Sequence, residues 1–319
     1  MPKILITSTL ACPLPELPFE VVRFAAKGPL VEEGLDAEVL VVWMSPRPLV
    51  QEMLARMPNL RWIQTLSNGV DQVLGANPAP HITITNGKGL HDAPTAELAV
   101  TLLLNAVRQM PHYHRMQQQA AWDKGAYDNQ LKMVERLGTL EGAFVVVVGM
   151  GGVGLEIAQR LKPFGATVEG VATRVGVREG FVTHALEDLP KLAERADALI
   201  ACLPETEKTI RLISADILGR MQGHAWFVNV GRGSAVDEAA LLSVLEKKKI
   251  AGAALDVFAQ EPLPDNAPWW TMENVIITPH IAGGGPRFFK KACALLARNC
   301  AHYGKGEPLE NLINRDKGY

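Results

Sequence analysis

Three side chains suited to work on a carbonyl stand late in the chain, each beside Gly or Pro. Arg232 lies in Asn229-Val230-Gly231-Arg232-Gly233, Glu261 in Asp256-Val257-Phe258-Ala259-Gln260-Glu261-Pro262, and His280 in Thr278-Pro279-His280-Ile281-Ala282-Gly283. Each segment follows an apolar run that reads as a strand, and ligands of open parallel sheets gather at the carboxyl ends of strands. A guanidinium fork can grip a carboxylate and a ketone oxygen. An imidazolium can deliver a proton near neutral pH, and a carboxylate beside it favours that charged form. A lone Arg or His in a turn is ordinarily structural. All three after three strands of one nucleotide-binding half point instead to ketone reduction, with the hydride carried by a cofactor.

The cofactor signal is Gly149-Met150-Gly151-Gly152-Val153-Gly154. It follows four valines and opens the helical run Leu155-Glu156-Ile157-Ala158, the context that gives this motif meaning. Gly149 permits the tight turn, Gly151 lets backbone approach a pyrophosphate, and Gly154 lets helix pack on strand. The helix start then offers unpaired N–H groups to phosphate. The next strand ends Val171-Ala172-Thr173-Arg174, without the acid that would hold a ribose 2′-hydroxyl; Glu169 comes too early. Thr173 and Arg174 suit a 2′-phosphate, with Arg178 able to share the role, so NADP is expected over NAD. The other reading leaves Arg174 as a solvated loop residue.

The elements that must position these groups alternate. Ile4–Thr7, Val21–Phe24, Val39–Trp43, Trp62–Thr65 and Ile82–Thr85 read as strands, with a helix over Pro48–Met57. A long helical pattern runs from Ala93 to Gln119, with Pro111 kinking or interrupting it. A polar arm follows from Gln117 to Glu141, including Trp122 and Tyr127. Strands are expected at Phe144–Val148, Thr167–Ala172, Ala198–Leu203, Trp226–Val230, Gly252–Val257 and Val275–Thr278, with a last helix over Pro286–Tyr303. Such alternation predicts α/β architecture with parallel sheets. The expected arrangement is a Rossmann-type doubly wound sheet, residues 101–286, inserted into a smaller flavodoxin-like α/β substrate domain, residues 1–100 and 287–319.

Length and composition agree with that. The chain has 319 residues, two domains by the usual prior, and is 48% hydrophobic and 21% charged. A net charge of −2 points to neither nucleic acid nor an anionic membrane. Any acidic substrate must therefore be held by a local cation. Cys12, Cys202, Cys293 and Cys300 show no Cys-x-x-Cys spacing and read as buried thiols in a reducing compartment. No signal peptide or bilayer-length apolar run is evident, so a cytoplasmic protein is expected. His112 and His114 do not share a helix face, so no metal is expected. Trp269 and Trp270 suit either a pocket wall or an interface, and Met44, at a strand end, is a candidate substrate contact.

The chain resembles the D-isomer-specific 2-hydroxyacid dehydrogenases over nearly its full length. The matching segments are Leu66-Ser67-Asn68-Gly69-Val70-Asp71, the glycine turn, Val228 to Gly233, Asp256 to Pro262, Thr278 to Gly283, and the tail Gly306-Glu307-Pro308-Leu309 with Lys317-Gly318-Tyr319. The resemblance implies Arg232 as carboxylate and carbonyl binder, His280 as acid/base and Glu261 as its partner. It implies a substrate carboxylate held by the N–H groups of Asn68 and Gly69. It places Thr95 and Asp256 near the nicotinamide, and Gly152 and Val153 at the pyrophosphate. It extends the cofactor contacts to Leu203, Pro204, Thr209, Val230 and Gly283. Thr278 stands where formate-oxidising relatives carry Gln, and the regulatory C-terminal domain of many phosphoglycerate dehydrogenases is not expected. The implied activity is NADPH-dependent reduction of a small 2-keto acid, such as glyoxylate or hydroxypyruvate, to the (R)-2-hydroxy acid by a homodimer joined through the arm and the long apolar helix. The alternative is a dinucleotide-sensing, corepressor-like binding protein that keeps the glycine turn without turnover.

Overall fold

A computed structural model describes residues 2–10, 19–26, 32–126 and 137–318. The chain divides into two compact units, residues 1–91 with 284–319, and residues 92–283. The expected boundary at residue 100 falls inside a helix that belongs wholly to the second unit.

The first unit begins with β1 (Lys3–Thr7), β2 (Glu20–Phe24), β3 (Val39–Val42), α1 (Arg47–Arg56), β4 (Trp62–Thr65), α2 (Asp71–Leu74) and β5 (Thr83–Thr85). Its five parallel strands lie in the order β2-β1-β3-β4-β5, the flavodoxin-like arrangement. Successive side chains point to opposite faces. Leu5 and Leu40 therefore pack with Val50 and Met53 of α1. Ile4, Ile6, Val39 and Val41 join the other core.

The second unit holds α3 (Asp92–Val107), α4 (Met110–Gln118), β6 (Phe144–Val148), α5 (Gly152–Leu161), β7 (Thr167–Val171), β8 (Gly176–Arg178), β9 (Phe181–His184), α6 (Leu189–Ala193), β10 (Ala198–Ala201), α7 (Ala215–Arg220), β11 (Trp226–Asn229), α8 (Glu238–Glu246), β12 (Gly252–Leu255) and β13 (Val275–Ile277). Its eight strands run β13-β12-β11-β10-β6-β7-β9-β8, all pairs parallel except β8 with β9. This is a Rossmann-type doubly wound sheet. Val145 and Val147 face a core with Leu103 of α3 and Ile157 of α5, and Val146 and Val148 face one with Ile217 of α7 and Leu241 of α8. The order reverses between β6 and β10, where such sheets bind ligands.

The chain then returns to the first unit as α9 (Phe288–Lys305), whose Leu296 and Cys300 cover the second face of the five-stranded sheet. Among the described residues no helix is long and apolar enough to cross a membrane, and no group of three or more His, Cys, Asp or Glu could hold a metal.

One expectation holds, one element is added and one reading is corrected. The long helical pattern over Ala93–Gln119 is interrupted near Pro111, as expected: α3 ends at Val107, Gln109 adopts a left-handed conformation (φ 54°), and Pro111 is the second residue of α4. Pro tolerates a first turn because its missing N–H has no intrahelical acceptor there. The β8–β9 hairpin went unread, because its strands have three and four residues and Val177 is exposed. Cys293 is disulfide-bonded, which corrects the reading of the cysteines as thiols; Cys202 and Cys300 are free. With no spacing motif, sequence separation says nothing about which thiols a fold brings within bonding distance. Cys12, Tyr127 and much of the polar arm lie outside the described residues.

Candidate active site

The glycine turn is built by close approaches. Gly149 sits at φ 108°, open to glycine but strained for other residues. A Cβ on Gly154 would stand 2.1 Å from the Gly149 carbonyl oxygen, so the helix can start against the turn only with glycine there. Nothing lies within 4 Å of a Cβ built on Gly151, which leaves backbone open to an incoming pyrophosphate. Arg178 donates to the Met150 carbonyl. A Cβ on Gly152 would meet Asp92 Oδ2 at 2.1 Å, so a carboxylate from α3 leans on the start of α5, with half-buried Val153 next in line. The turn fits a dinucleotide phosphate.

Around it, Thr173 and Arg174 are exposed past the end of β7. After β10, Leu203 is buried, and Thr209 Oγ1 donates to the Pro204 carbonyl (2.6 Å) and accepts from Thr206 N–H (2.8 Å), which fixes that loop. Burial pushes the Cys202 thiol up to about 12, so it stays protonated while it donates to the Gly149 carbonyl at 3.0 Å. Thr95 and Val230 are buried in the same unit, and Gly283 is its last residue.

Arg232 is held by its glycines. A Cβ on Gly231 would meet the Leu203 backbone at 2.6 Å, and one on Gly233 the Phe258 carbonyl carbon at 1.9 Å. The Asn229 side chain accepts from Gly231 N–H and donates to the Arg232 carbonyl, both at 3.0 Å. The half-buried guanidinium donates to the Gly231 carbonyl, also at 3.0 Å.

The imidazole and carboxylate meet. His280 Nδ1 lies 2.6 Å from Glu261 Oε2, while Glu261 Oε1 accepts from Phe258 N–H at 2.9 Å. Burial would raise the Glu261 carboxyl, but the bonds from His280 and Phe258, with the charges of His280 and Arg232, hold it below the usual glutamate range. The same Glu261 hydrogen bond lifts His280 above the ordinary histidine value, against burial and the Arg232 charge. An ionised carboxylate only accepts, so Nδ1 carries hydrogen in both protonation states. Nε2 is then the atom that gains and loses the proton.

His280 has a left-handed backbone (φ 52°), a conformation uncommon for any residue with a Cβ. Asp256, 1% exposed, supports it. Its carbonyl accepts from His280 N–H (2.8 Å), its Oδ1 from Thr278 Oγ1 (2.6 Å) and Ile281 N–H (3.0 Å), and its Oδ2 from Ala282 N–H (3.0 Å). In the second unit the structure thus brings Arg232, Asp256, Glu261 and His280 to one end of the sheet.

In the first unit Asn68 and Gly69 follow β4. Three successive carbonyls there are tied back: Leu66 to His91 Nε2 (2.8 Å), Ser67 to Gly87 N–H (2.8 Å) and Asn68 to the Asn86 amide (2.7 Å). Met44, 62% exposed and left-handed (φ 55°), follows β3. Trp269 is buried against Phe258, and Trp270 is exposed. His112 pairs with Asp123 at 3.3 Å, and His114 with Gln118. Sequence reasoning gave no role to Asn229, Glu238, Asn86, His91 or Asp92. Asn229 stood in a quoted motif; the others act through tertiary contacts without local signature.

A doubly wound dinucleotide fold with an Arg, a Glu–His pair and a glycine turn at its strand ends defines a nicotinamide-dependent oxidoreductase. Residues 100–282 match the D-isomer specific 2-hydroxyacid dehydrogenase NAD binding domain, and the chain belongs to that family. It is 32% identical to a glyoxylate reductase of Thermofilum pendens over 83% of this chain and 78% of that protein. It is also 32% identical to a D-3-phosphoglycerate dehydrogenase of Methanocaldococcus jannaschii over 92% of this chain, but spans only 55% of that relative's length. An NADPH-dependent glyoxylate/hydroxypyruvate reductase of Sinorhizobium meliloti, solved with NADP and sulfate, superposes with a TM-score of 0.84 at 25% identity, covering 99% of this chain and 100% of that one. A family member from Xanthobacter autotrophicus, solved with NADPH and MES, gives 0.83 at 27% identity, with both chains fully covered.

Proposed function

We propose that the protein reduces a small 2-keto acid of the glyoxylate or hydroxypyruvate type to the (R)-2-hydroxy acid, with NADPH preferred to NADH. The observation that carries this reading is the 2.6 Å His280–Glu261 pair in the same unit as a backbone-clamped Arg232. The bound nicotinamide supplies the hydride. Arg232 grips the ketone oxygen and one oxygen of the substrate carboxylate, and stabilises negative charge as it develops. His280 Nε2 gives its proton to the carbonyl oxygen, and Glu261 holds the ring in the one tautomer that permits this. The Asn68 and Gly69 N–H groups take the substrate carboxylate, and Met44 borders the substrate. Asp256 keeps the His280 loop in place on the cofactor side.

NADP preference is supported by the missing acid after β7 and by the exposed Thr173 and Arg174. The NADP- and NADPH-bound relatives point the same way. A homodimer is supported by α4, which has no buried residue, and by Trp122, 87% exposed. The test is oxidation of NADPH and NADH with glyoxylate, hydroxypyruvate, pyruvate and phenylpyruvate, on wild type and Arg174→Asp. Turnover with the smaller acids and a roughly tenfold NADPH advantage that Arg174→Asp removes are expected. No oxidation across the panel would refute the enzyme reading, and equal use of both cofactors the NADP reading.

A further inference from the structure

Glu238 reaches the backbone of the segment that leads to Glu261 and has no part in the reaction described above. It is the first residue of α8, directly after Asp237, whose carboxylate caps that helix by accepting from Ala240 N–H at 3.1 Å. The ordinary role for an acid there is to complement the helix dipole. Its actual contact is elsewhere: Oε1 accepts from Ala259 N–H at 2.7 Å, 21 residues away.

The Phe258–Ala259 peptide is where both halves of the site are braced. Gly233, the neighbour of Arg232, packs so closely on it that a Cβ would stand 2.3 Å from Ala259 N. Phe258 N–H is bonded by Glu261, and Ala259 N–H by Glu238. One peptide segment therefore fixes the Arg232 turn on one side and the Glu261 carboxylate on the other. Its second N–H is satisfied by Glu238.

We propose that Glu238 is a positioning residue, which clamps the Phe258–Ala259 peptide and thereby holds Glu261 in register with His280 and Arg232. The clamp acts through reach, not through charge. Charge opposes it: burial, with Glu261 close by, lifts the Glu238 carboxyl above its ordinary range despite the Ala259 bond. The charged groups bearing on the cluster are Glu261, His280, Arg232 and Asp256, with the Arg211–Asp237 pair beside Glu238 itself. The inference deepens the proposed function and rests on it for its kinetic half only.

Two mild substitutions separate reach from charge. Glu238→Gln keeps an oxygen at full length and loses the charge. Glu238→Asp keeps the charge at the helix start and falls short of Ala259. The readout is the NMR titration of the His280 ring, which needs no turnover, followed by kcat for reduction and by cofactor affinity. The proposal expects Glu238→Asp to lower the His280 midpoint by about half a pH unit and kcat by about tenfold, with cofactor affinity unchanged. Glu238→Gln should stay within about threefold of wild-type kcat. The reverse pattern, with Gln perturbed and Asp like wild type, makes Glu238 a dipole residue and overturns the proposal. An unmoved His280 midpoint in Glu238→Asp overturns it as well. If wild type reduces no keto acid, the function fails, and the titration still decides the clamp.

Discussion

On the proposed function, the two units prepare for substrate in different ways. The second aims side chains: Arg232, Glu261 and His280 project from turns after β11, β12 and β13, and their chemistry is legible in their residue types. The first aims backbone: the carbonyls of Leu66, Ser67 and Asn68 are drawn back by His91, Gly87 and Asn86, and on our reading the N–H groups that follow do the binding. Side-chain sites depend on clamps that hold a few polar atoms. Backbone sites depend on every tie behind the loop. Damage to the second unit should therefore strike the chemical step, and damage to the first should strike substrate affinity.

The largest effect is expected from His280→Ala. Loss of the proton donor should lower kcat on the order of 10³-fold, with cofactor affinity measured by fluorescence largely kept. Gly231→Ala tests the brace rather than the group. Its Cβ meets Leu203 backbone, which no side-chain rotation relieves, so Arg232 must shift, and kcat should fall about 10²-fold. In the first unit Asn86→Ala removes the tie on the Asn68 carbonyl and should raise KM for the keto acid about tenfold with kcat within about threefold. A fall in kcat with KM unchanged would erase the contrast between the units.

How far the site could be read beforehand follows the same division. The glycine turn was legible because Gly149 needs positive φ and Gly154 needs the absence of a Cβ, and no other residue type meets those needs. The candidate side chains Arg232, Glu261 and His280 stood out because each lies in a Gly- or Pro-flanked turn. Their supports were not. Asp256 appeared as a cofactor contact, while its carboxylate also accepts three donors from the His280 loop. Glu238 looked like any acid at a helix start, and His91 and Asn86 like loop residues. The interruption of the long helix was legible through Pro111, but its left-handed residue was not, because Gln109, unlike glycine, has no sequence signature for that conformation. Local pattern reports backbone needs, and tertiary hydrogen bonds leave little trace in it.

The pair also sets a pH window. His280 is raised above its ordinary value near 6.5, so its contribution to stability is complete below that value and is lost as pH climbs through the raised one. Glu261 is lowered below its ordinary value near 4.5, so its contribution is present above that value and is lost as pH falls through the lowered one. Between the two limits the pair is charged and bonded, and His280 is a ready acid.

The most direct measurement is the pH dependence of kcat/KM in both directions, on wild type and on Glu261→Gln. Ketone reduction should decline with rising pH along a limb above the ordinary histidine value, and hydroxy-acid oxidation should rise along the same limb. In Glu261→Gln both limbs should move to lower pH. Profiles that are flat, or limbs that stay in place without the Glu261 charge, would contradict the assignment of His280 and Glu261 as the proton-transfer pair.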